Sequence, residues 1–135
     1  MARRRILFLC TGNSCRSQMA EAFARIHGGA RIDAYSAGSV PSGKVNATAI
    51  RVMGELGYDL STHESGSIDR LPEGRLDAIV SMGCGDACPT VPTDRRIEWD
   101  IPDPKHLPLE EFRTIRDQIE TRVKEIISEL LEPAP

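Results

Sequence analysis

Cys10 and Arg16 are the residues of this 135-residue sequence whose types and spacing most directly suggest chemistry. Gly12 and Asn13 between them can adopt left-handed backbone conformations, which turn successive N–H groups toward an anion. The Arg16 guanidinium can bind two oxygens of phosphate or arsenate at once. These surroundings favour the thiolate form of Cys10, so the sequence predicts a nucleophile that attacks a tetrahedral oxyanion. The loop expected to bind this anion comprises Thr11, Gly12, Asn13, Ser14, Cys15, Arg16 and Ser17.

The loop needs a strand before it and a helix after it. Residues 6–9 form a short apolar run that stops at the polar loop, as a buried parallel strand does. Apolar side chains then recur at helical spacing over residues 16–27, and Gly28-Gly29 ends that pattern. The helix amino terminus adds partial positive charge to the loop. Ser17 is spaced to donate a hydrogen bond to the Cys10 sulfur.

The rest of the chain continues the alternation of strand and helix. Residues 32–37, 76–82 and 95–99 read as strands, Asn46 is expected to cap a helix that ends at Gly57, and residues 109–131 have the period of an amphipathic helix. This order predicts an α/β, three-layer fold with a four-stranded parallel sheet flanked by helices. The length favours one domain over residues 1–135. Such folds bind ligands where the strands end, which is where Cys10 lies.

Two further cysteines, Cys84 and Cys88, follow the third predicted strand. The carboxyl end of that strand should lie on the same sheet edge as Cys10, so both thiols could reach it. Gly83 and Gly85 flank Cys84 and lower the cost of moving its sulfur between partners. A zinc site made by the four cysteines is a less favoured alternative, and we expect no metal.

The motif from Cys10 to Ser17, with Gln18-Met19-Ala20-Glu21 after it, resembles the thioredoxin-coupled arsenate reductases, which are relatives of the low-molecular-weight protein tyrosine phosphatases. Ser36-Ala37-Gly38 and Trp99 with Asp103-Pro104 extend the resemblance over most of the chain. It implies an enzyme of arsenical resistance and detoxification. It also implies that Asp103 is the general acid, with Asp100 as the rival residue.

The resemblance implies a relay of thiols. Cys10 attacks arsenic, Cys84 attacks the sulfur of the adduct, arsenite leaves, and Cys88 then takes over the disulfide from Cys10. Thioredoxin reduces the Cys84–Cys88 disulfide, so no other cofactor is required. Some family members bind potassium through residues matching Asn13, Glu21 and Ser36, but Gly66 stands where we align a ligand carboxylate.

Two other functions stay open at this point. The first is a low-molecular-weight protein tyrosine phosphatase with Cys10 as nucleophile and Asp103 as general acid, and weak phosphatase activity is expected in either case. Such phosphatases place two tyrosines after Asp-Pro, whereas Lys105 and His106 stand here. The second is a protein without catalytic activity that binds oxyanions or senses redox state.

Composition excludes other classes of protein. A net charge of −3 argues against nucleic-acid binding, and no apolar run is long enough to cross a membrane. Residues 6–10 are too short for the apolar part of a secretory signal. We therefore expect a cytoplasmic protein, and we expect it to be a monomer. The resemblance implies arsenate and thioredoxin as its partners, with phosphate or sulfate competing for the anion loop.

Overall fold

The computed structural model describes residues 3–66, 74–83 and 92–131. In these ranges the chain forms a parallel sheet with the strand order β2-β1-β3-β4, as the alternating sequence pattern predicts. The strands are β1 Arg4–Cys10, β2 Ile32–Gly38, β3 Ala78–Met82 and β4 Arg96–Glu98. The α-helices are α1 Arg16–Gly28, α2 Ala47–Gly54 and α3 Leu109–Leu131. Within the described residues no helix is long and apolar enough to cross a membrane.

The central strand β1 is buried on both faces. Ile6 and Phe8 belong to the main core, which also contains the apolar faces of α1, α2 and α3. Leu7 and Leu9 point the other way, into a smaller cluster with Ile79. Because side chains alternate along a strand, a continuous apolar run is what a strand covered on both sides requires.

Several element ends differ from the sequence prediction: β1 covers Arg4–Cys10 rather than residues 6–9, β2 ends at Gly38 rather than residue 37, and β4 covers Arg96–Glu98 rather than residues 95–99. The start of β3 and the end of α2 differ as well, and each has a structural cause. β3 begins at Ala78 rather than Leu76. The Asp77 carboxylate accepts the backbone N–H of Arg5 at 2.7 Å, so a side-chain oxygen takes the place of the backbone carbonyl that a longer β1–β3 pairing would use. Asn46 caps α2 as expected, accepting two backbone N–H groups. That helix ends at Gly54 rather than Gly57, because the Leu56 N–H bonds to Met53 in a tight turn.

A cluster of charged side chains joins the end of α2 to α3. Glu55 accepts hydrogen bonds from both Nε and Nη2 of Arg113 and from Nη1 of Arg116. Arg116 is buried and also donates to the Val52 carbonyl at 2.9 Å. The hydrogen bond from Arg113, with further help from Arg116, lowers the pKa of Glu55 from 4.5 to about 2. The ionised carboxylate therefore stabilises the packing of α2 on α3.

Replacing Glu55 by glutamine should lower the thermal unfolding midpoint at pH 7. A lowered pKa stabilises the fold above the ordinary value of 4.5, and that contribution is lost as the pH falls toward about 2. The difference between the two proteins should therefore shrink across this window, as thermal unfolding followed by circular dichroism would show. Glu129→Gln, which removes an exposed partner of Arg95, is the control and should have little effect. A difference that stays constant down to pH 2 would contradict the electrostatic account.

Candidate active site

The loop of residues 10–16 lies at the carboxyl edge of the sheet. Cys10 is the last residue of β1 and pairs with Gly38 of β2 on one side and with Met82 of β3 on the other. Arg16 is the first residue of α1. The loop therefore connects the centre of the sheet to a helix amino terminus, where both the backbone donors and the helix dipole favour an anion.

Backbone contacts from the segment of residues 38–46 hold the loop in shape. The carbonyls of Thr11, Gly12 and Ser14 accept N–H groups from residues 40, 42 and 46, each at 2.9 Å. A trans peptide points its N–H opposite to its carbonyl, so outward carbonyls turn the neighbouring N–H groups inward. Asn13, with φ of 47°, supplies the left-handed turn that this curvature needs. The result is a concave row of donors suited to an oxyanion.

Gly38 allows the close approach of the two segments. A Cβ atom at this position would lie 2.6 Å from the Thr11 carbonyl oxygen and 2.9 Å from the backbone nitrogen of Asn13. Any side chain would push the loop out of place. Ser36-Ala37-Gly38 is part of the resemblance to the arsenate reductases, and this contact gives its glycine a steric reason.

The Cys10 thiol lies at the inner end of the loop, 3% exposed, with its sulfur 2.9 Å from the Ser17 hydroxyl. The Asn13 side-chain amide donates to the same hydroxyl at 2.8 Å, which leaves the Ser17 proton available for the sulfur.

The second cysteine of the loop, Cys15, has a less reactive thiol than a nucleophile needs, because burial raises its pKa to about 11. Cys15 is therefore a neutral thiol at physiological pH and is unsuited to nucleophilic attack.

Arg16 faces the site with a guanidinium that is held from two sides. Nη1 donates to the Ile101 carbonyl at 3.0 Å, and Nη2 lies 3.8 Å from a carboxylate oxygen of Asp103. Gly83 makes room for it, since a Cβ there would lie 2.9 Å from Nη1. Gly83 also has φ of 87°, a conformation that glycine adopts without strain.

A cavity of about 340 Å³ opens over the loop. Cys10, Arg16, Val40, Pro41 and Asp103 are among the residues that line it, and the Asp103 side chain is half exposed. Asp100, the rival acid, instead lines a neighbouring cavity beside Trp99. The structure thus brings Asp103, rather than Asp100, into the same space as Cys10, although its role stays a prediction.

Cys84 and Cys88 lie outside the described residues. The chain reaches that segment through Gly83, whose carbonyl accepts a hydrogen bond from the Thr11 hydroxyl at 3.1 Å. Thr11 belongs to the anion loop. Gly83, the last described residue before Cys84, therefore contacts that loop.

A family model described as "Low molecular weight phosphotyrosine protein phosphatase" matches residues 5–134. The chain belongs to this family. An arsenate reductase of Brevibacillus brevis is 43% identical over 126 residues, covering 90% of this chain and 92% of that protein. A glutaredoxin arsenate reductase of Synechocystis is 38% identical over 130 residues, covering 94% and 98%.

Solved structures give the same family relationship. A structure titled "An arsenate reductase in the phosphate binding state" has a TM-score of 0.83 and 36% identity, covering 93% of this chain and 98% of that one. A thioredoxin-dependent arsenate reductase of Corynebacterium glutamicum has a TM-score of 0.79 and 26% identity, covering 96% of this chain and 62% of that one.

The residues expected from some family members to bind potassium do not fit that ion here. Glu21 accepts hydrogen bonds from the Ser36 hydroxyl and from Arg25, whose guanidinium supplies the positive charge. Asn13 Oδ1 accepts the backbone N–H of Gly66, the position aligned with a ligand carboxylate. The oxygens that would face potassium are thus bound to other groups.

The anion loop is also supported from its buried side, by residues that the sequence pattern did not indicate. Gln18 is fully buried and donates to both the backbone carbonyl and the side-chain oxygen of Asn13. His63 forms hydrogen bonds with Gln18 and with Tyr58. Only Gln18 could have been identified from the sequence, because it is a polar residue on the apolar face of a predicted helix. The contact between His63 and Gln18 joins residues 45 apart, so no local pattern indicates it.

Proposed function

We propose that this chain is an arsenate reductase that converts arsenate to arsenite. The observation that carries the proposal is the buried Cys10 thiol, 2.9 Å from Ser17, at the base of a cavity that Arg16 also lines. The family membership and the arsenate reductases among its relatives support the choice of substrate. Phosphate and sulfate have the same tetrahedral shape and should compete.

The proposed first step forms a bond between Cys10 sulfur and arsenic(V) and expels a hydroxyl group as water. Cys84 thiolate then attacks the Cys10 sulfur. The electron pair of the sulfur–arsenic bond stays on arsenic, which leaves as arsenite, while a Cys10–Cys84 disulfide forms. Arsenic gains two electrons, and the two sulfurs lose them.

The proposed second half restores Cys10. Cys88 thiolate attacks the Cys84 sulfur, releases Cys10 as a thiolate, and leaves a Cys84–Cys88 disulfide. The dithiol of thioredoxin reduces this disulfide and supplies the two electrons of the cycle. The thioredoxin-dependent relative supports this reductant, whereas the glutaredoxin arsenate reductase of Synechocystis makes glutaredoxin the alternative to test.

Replacing Cys88 by serine should trap a Cys10–Cys84 disulfide after one turnover with arsenate, because nothing then attacks Cys84. Peptide mapping by mass spectrometry under nonreducing conditions would identify the pair. The matched Cys84→Ser variant should trap no disulfide to Cys10 by this route. Recovery of a Cys10–Cys88 pair in the Cys84→Ser variant at the wild-type rate would overturn the order of the relay.

Asp103 is the proposed general acid, protonating the oxygen that leaves arsenic. Asp103→Asn should lower kcat by about 10²-fold, within the usual contribution of a positioned acid. Steady-state kinetics with arsenate would measure it. Asp100→Asn is the matched control, and a larger loss in that variant would transfer the role to Asp100.

A tyrosine phosphatase is the second candidate function, since the matching family model carries that description. Lys105 lies in the wall of the active-site cavity where phosphatases place a tyrosine. Hydrolysis of an aryl phosphate faster than arsenate reduction would favour this candidate.

We further propose that the protein works as a cytoplasmic monomer with one domain over residues 1–135. A relay that starts from free thiols requires a reducing compartment, which supports the cytoplasm. Its expected role there is arsenical detoxification.

A further inference from the structure

The active-site cavity is lined by a lysine as well as by Arg16. Lys105 shares this cavity with Cys10, Arg16 and Asp103. The residue is exposed, and in the described parts of the chain no carboxylate forms an ion pair with its ammonium group. The charge of Lys105 is therefore available to an anion that enters the cavity.

A tight turn holds Lys105 in this position. The Asp103 carboxylate accepts the backbone N–H of Lys105 at 3.1 Å. The Leu107 N–H donates to the Pro104 carbonyl at 2.9 Å, and Pro104 is buried, so the turn is packed against the rest of the protein. The backbone of Lys105 is thus tied to the carboxylate that is the proposed general acid.

The exposure of the lining residues gives the cavity a closed end and an open end. Cys10 is 3% exposed and the Arg16 side chain 10%, whereas the Asp103 side chain is 50% exposed and Lys105 is exposed as well. In-line attack by the Cys10 sulfur leaves the departing oxygen on the opposite side of the central atom. That oxygen therefore faces the open end, where Asp103 and Lys105 lie.

This outward-facing oxygen differs between an inorganic oxyanion and an ester. In arsenate or phosphate it is a terminal oxygen, which can accept a hydrogen bond from an ammonium group. In an aryl phosphate the same oxygen carries the ring, and the negative charge stays on the oxygens that face the loop and Arg16. A cation at the open end therefore interacts more strongly with the inorganic ion.

The charges of the bound state also favour a second cation. A dianionic oxyanion is repelled by the Cys10 thiolate that attacks it, and this repulsion is strong at bonding distances. Among the described residues that line the cavity, Arg16 is the other side chain with a positive charge. An ammonium at the open end offsets part of the repulsion.

We propose that Lys105 is a specificity-determining residue that binds the outward-facing oxygen of an inorganic oxyanion and so favours arsenate over aryl phosphate esters. The inference rests on the proposed function only in that the anion occupies this cavity with Cys10 as the attacking residue.

Calorimetric titration of Cys10→Ser with inorganic phosphate and with phenyl phosphate tests the proposal without turnover. Adding Lys105→Gln to this background should raise the Kd for phosphate about three- to fivefold and the Kd for phenyl phosphate by less than about 1.5-fold. Lys105→Arg keeps the charge and should keep both values within about twofold of the background.

Lys44→Gln is the matched control, because it removes the same charge from an exposed lysine that lines a separate cavity with His63 and Glu64. It should leave both Kd values unchanged. An unchanged Kd for phosphate in Lys105→Gln would overturn the proposal. An equal loss for both ligands would also overturn it, because that result describes attraction of any anion.

The binding data also separate this proposal from the proposed function. If the wild type reduces no arsenate while Lys105→Gln still weakens phosphate selectively, the proposed function fails and the role of Lys105 stands.

Discussion

Cys10→Ser should reduce arsenate turnover by at least about 10⁴-fold, the largest effect expected for any single substitution in this chain. A hydroxyl does not ionise near neutral pH, and a serine adduct would leave no sulfur for a second thiol to attack. The buried position next to Ser17 accepts a serine with little change in volume. Turnover measured with saturating reductant would show the loss.

A binding experiment separates this loss from misfolding. The backbone donors of residues 11–16 and the Arg16 guanidinium do not depend on the thiol. Phosphate should therefore raise the thermal unfolding midpoint of Cys10→Ser about as much as that of the wild type. Turnover in this variant within tenfold of the wild type, about 1.4 kcal/mol of barrier, would exclude Cys10 as the nucleophile.

Arg16→Lys should lower kcat/KM for arsenate by about 10²- to 10³-fold, the second largest effect. An ammonium cannot bind two oxygens in one plane, and it cannot reach both the Ile101 carbonyl and the neighbourhood of Asp103. Much of the loss should fall on kcat, because the charge on the arsenate oxygens grows as the bond to sulfur forms. Steady-state kinetics at several arsenate concentrations would separate kcat from KM.

Arg113→Lys is the matched control for Arg16→Lys. Arg113 also binds a carboxylate with two nitrogens, but it does so on α3, at the contact with Glu55. Its replacement should leave turnover unchanged while slightly lowering the unfolding midpoint. A change in KM alone for Arg16→Lys, with kcat unchanged, would mean that Arg16 contributes to binding arsenate and not to stabilising the transition state.

The predictable part of the site is the part carried by neighbouring residues. Cys10, Gly12 and Arg16 could be placed on a strand, a turn and a helix because each element has its own local period and its own end signals. The carboxyl edge of the sheet followed from the alternation of strands and helices. Each of these inferences uses short distances along the chain.

The remaining contacts depend on which distant segments meet. No spacing rule could place Gly38 against Thr11, or connect His63 to Gln18, because those pairs form only when the sheet is complete. The choice between Asp103 and Asp100 was open for the same reason. Only two residues separate them in sequence, yet they line different cavities.

The end of α2 shows how local patterns mislead at boundaries. Leu56 continues the apolar period of the helix, but its side chain is 45% exposed and its N–H bonds three residues back. Glu55 is held there by the two arginines of α3, a contact between helices that the sequence of α2 does not contain.

The dependence of arsenate turnover on the reductant most directly tests whether this protein reduces arsenate through its cysteine relay. Purified protein is mixed with thioredoxin, thioredoxin reductase and NADPH, and the absorbance of NADPH is followed after arsenate is added. The proposed function predicts NADPH oxidation that requires both arsenate and thioredoxin and that disappears in Cys10→Ser and Cys84→Ser. No oxidation of NADPH with the thioredoxin system, nor with glutaredoxin, glutathione and glutathione reductase in its place, in a preparation that hydrolyses an aryl phosphate, would contradict the assignment as an arsenate reductase.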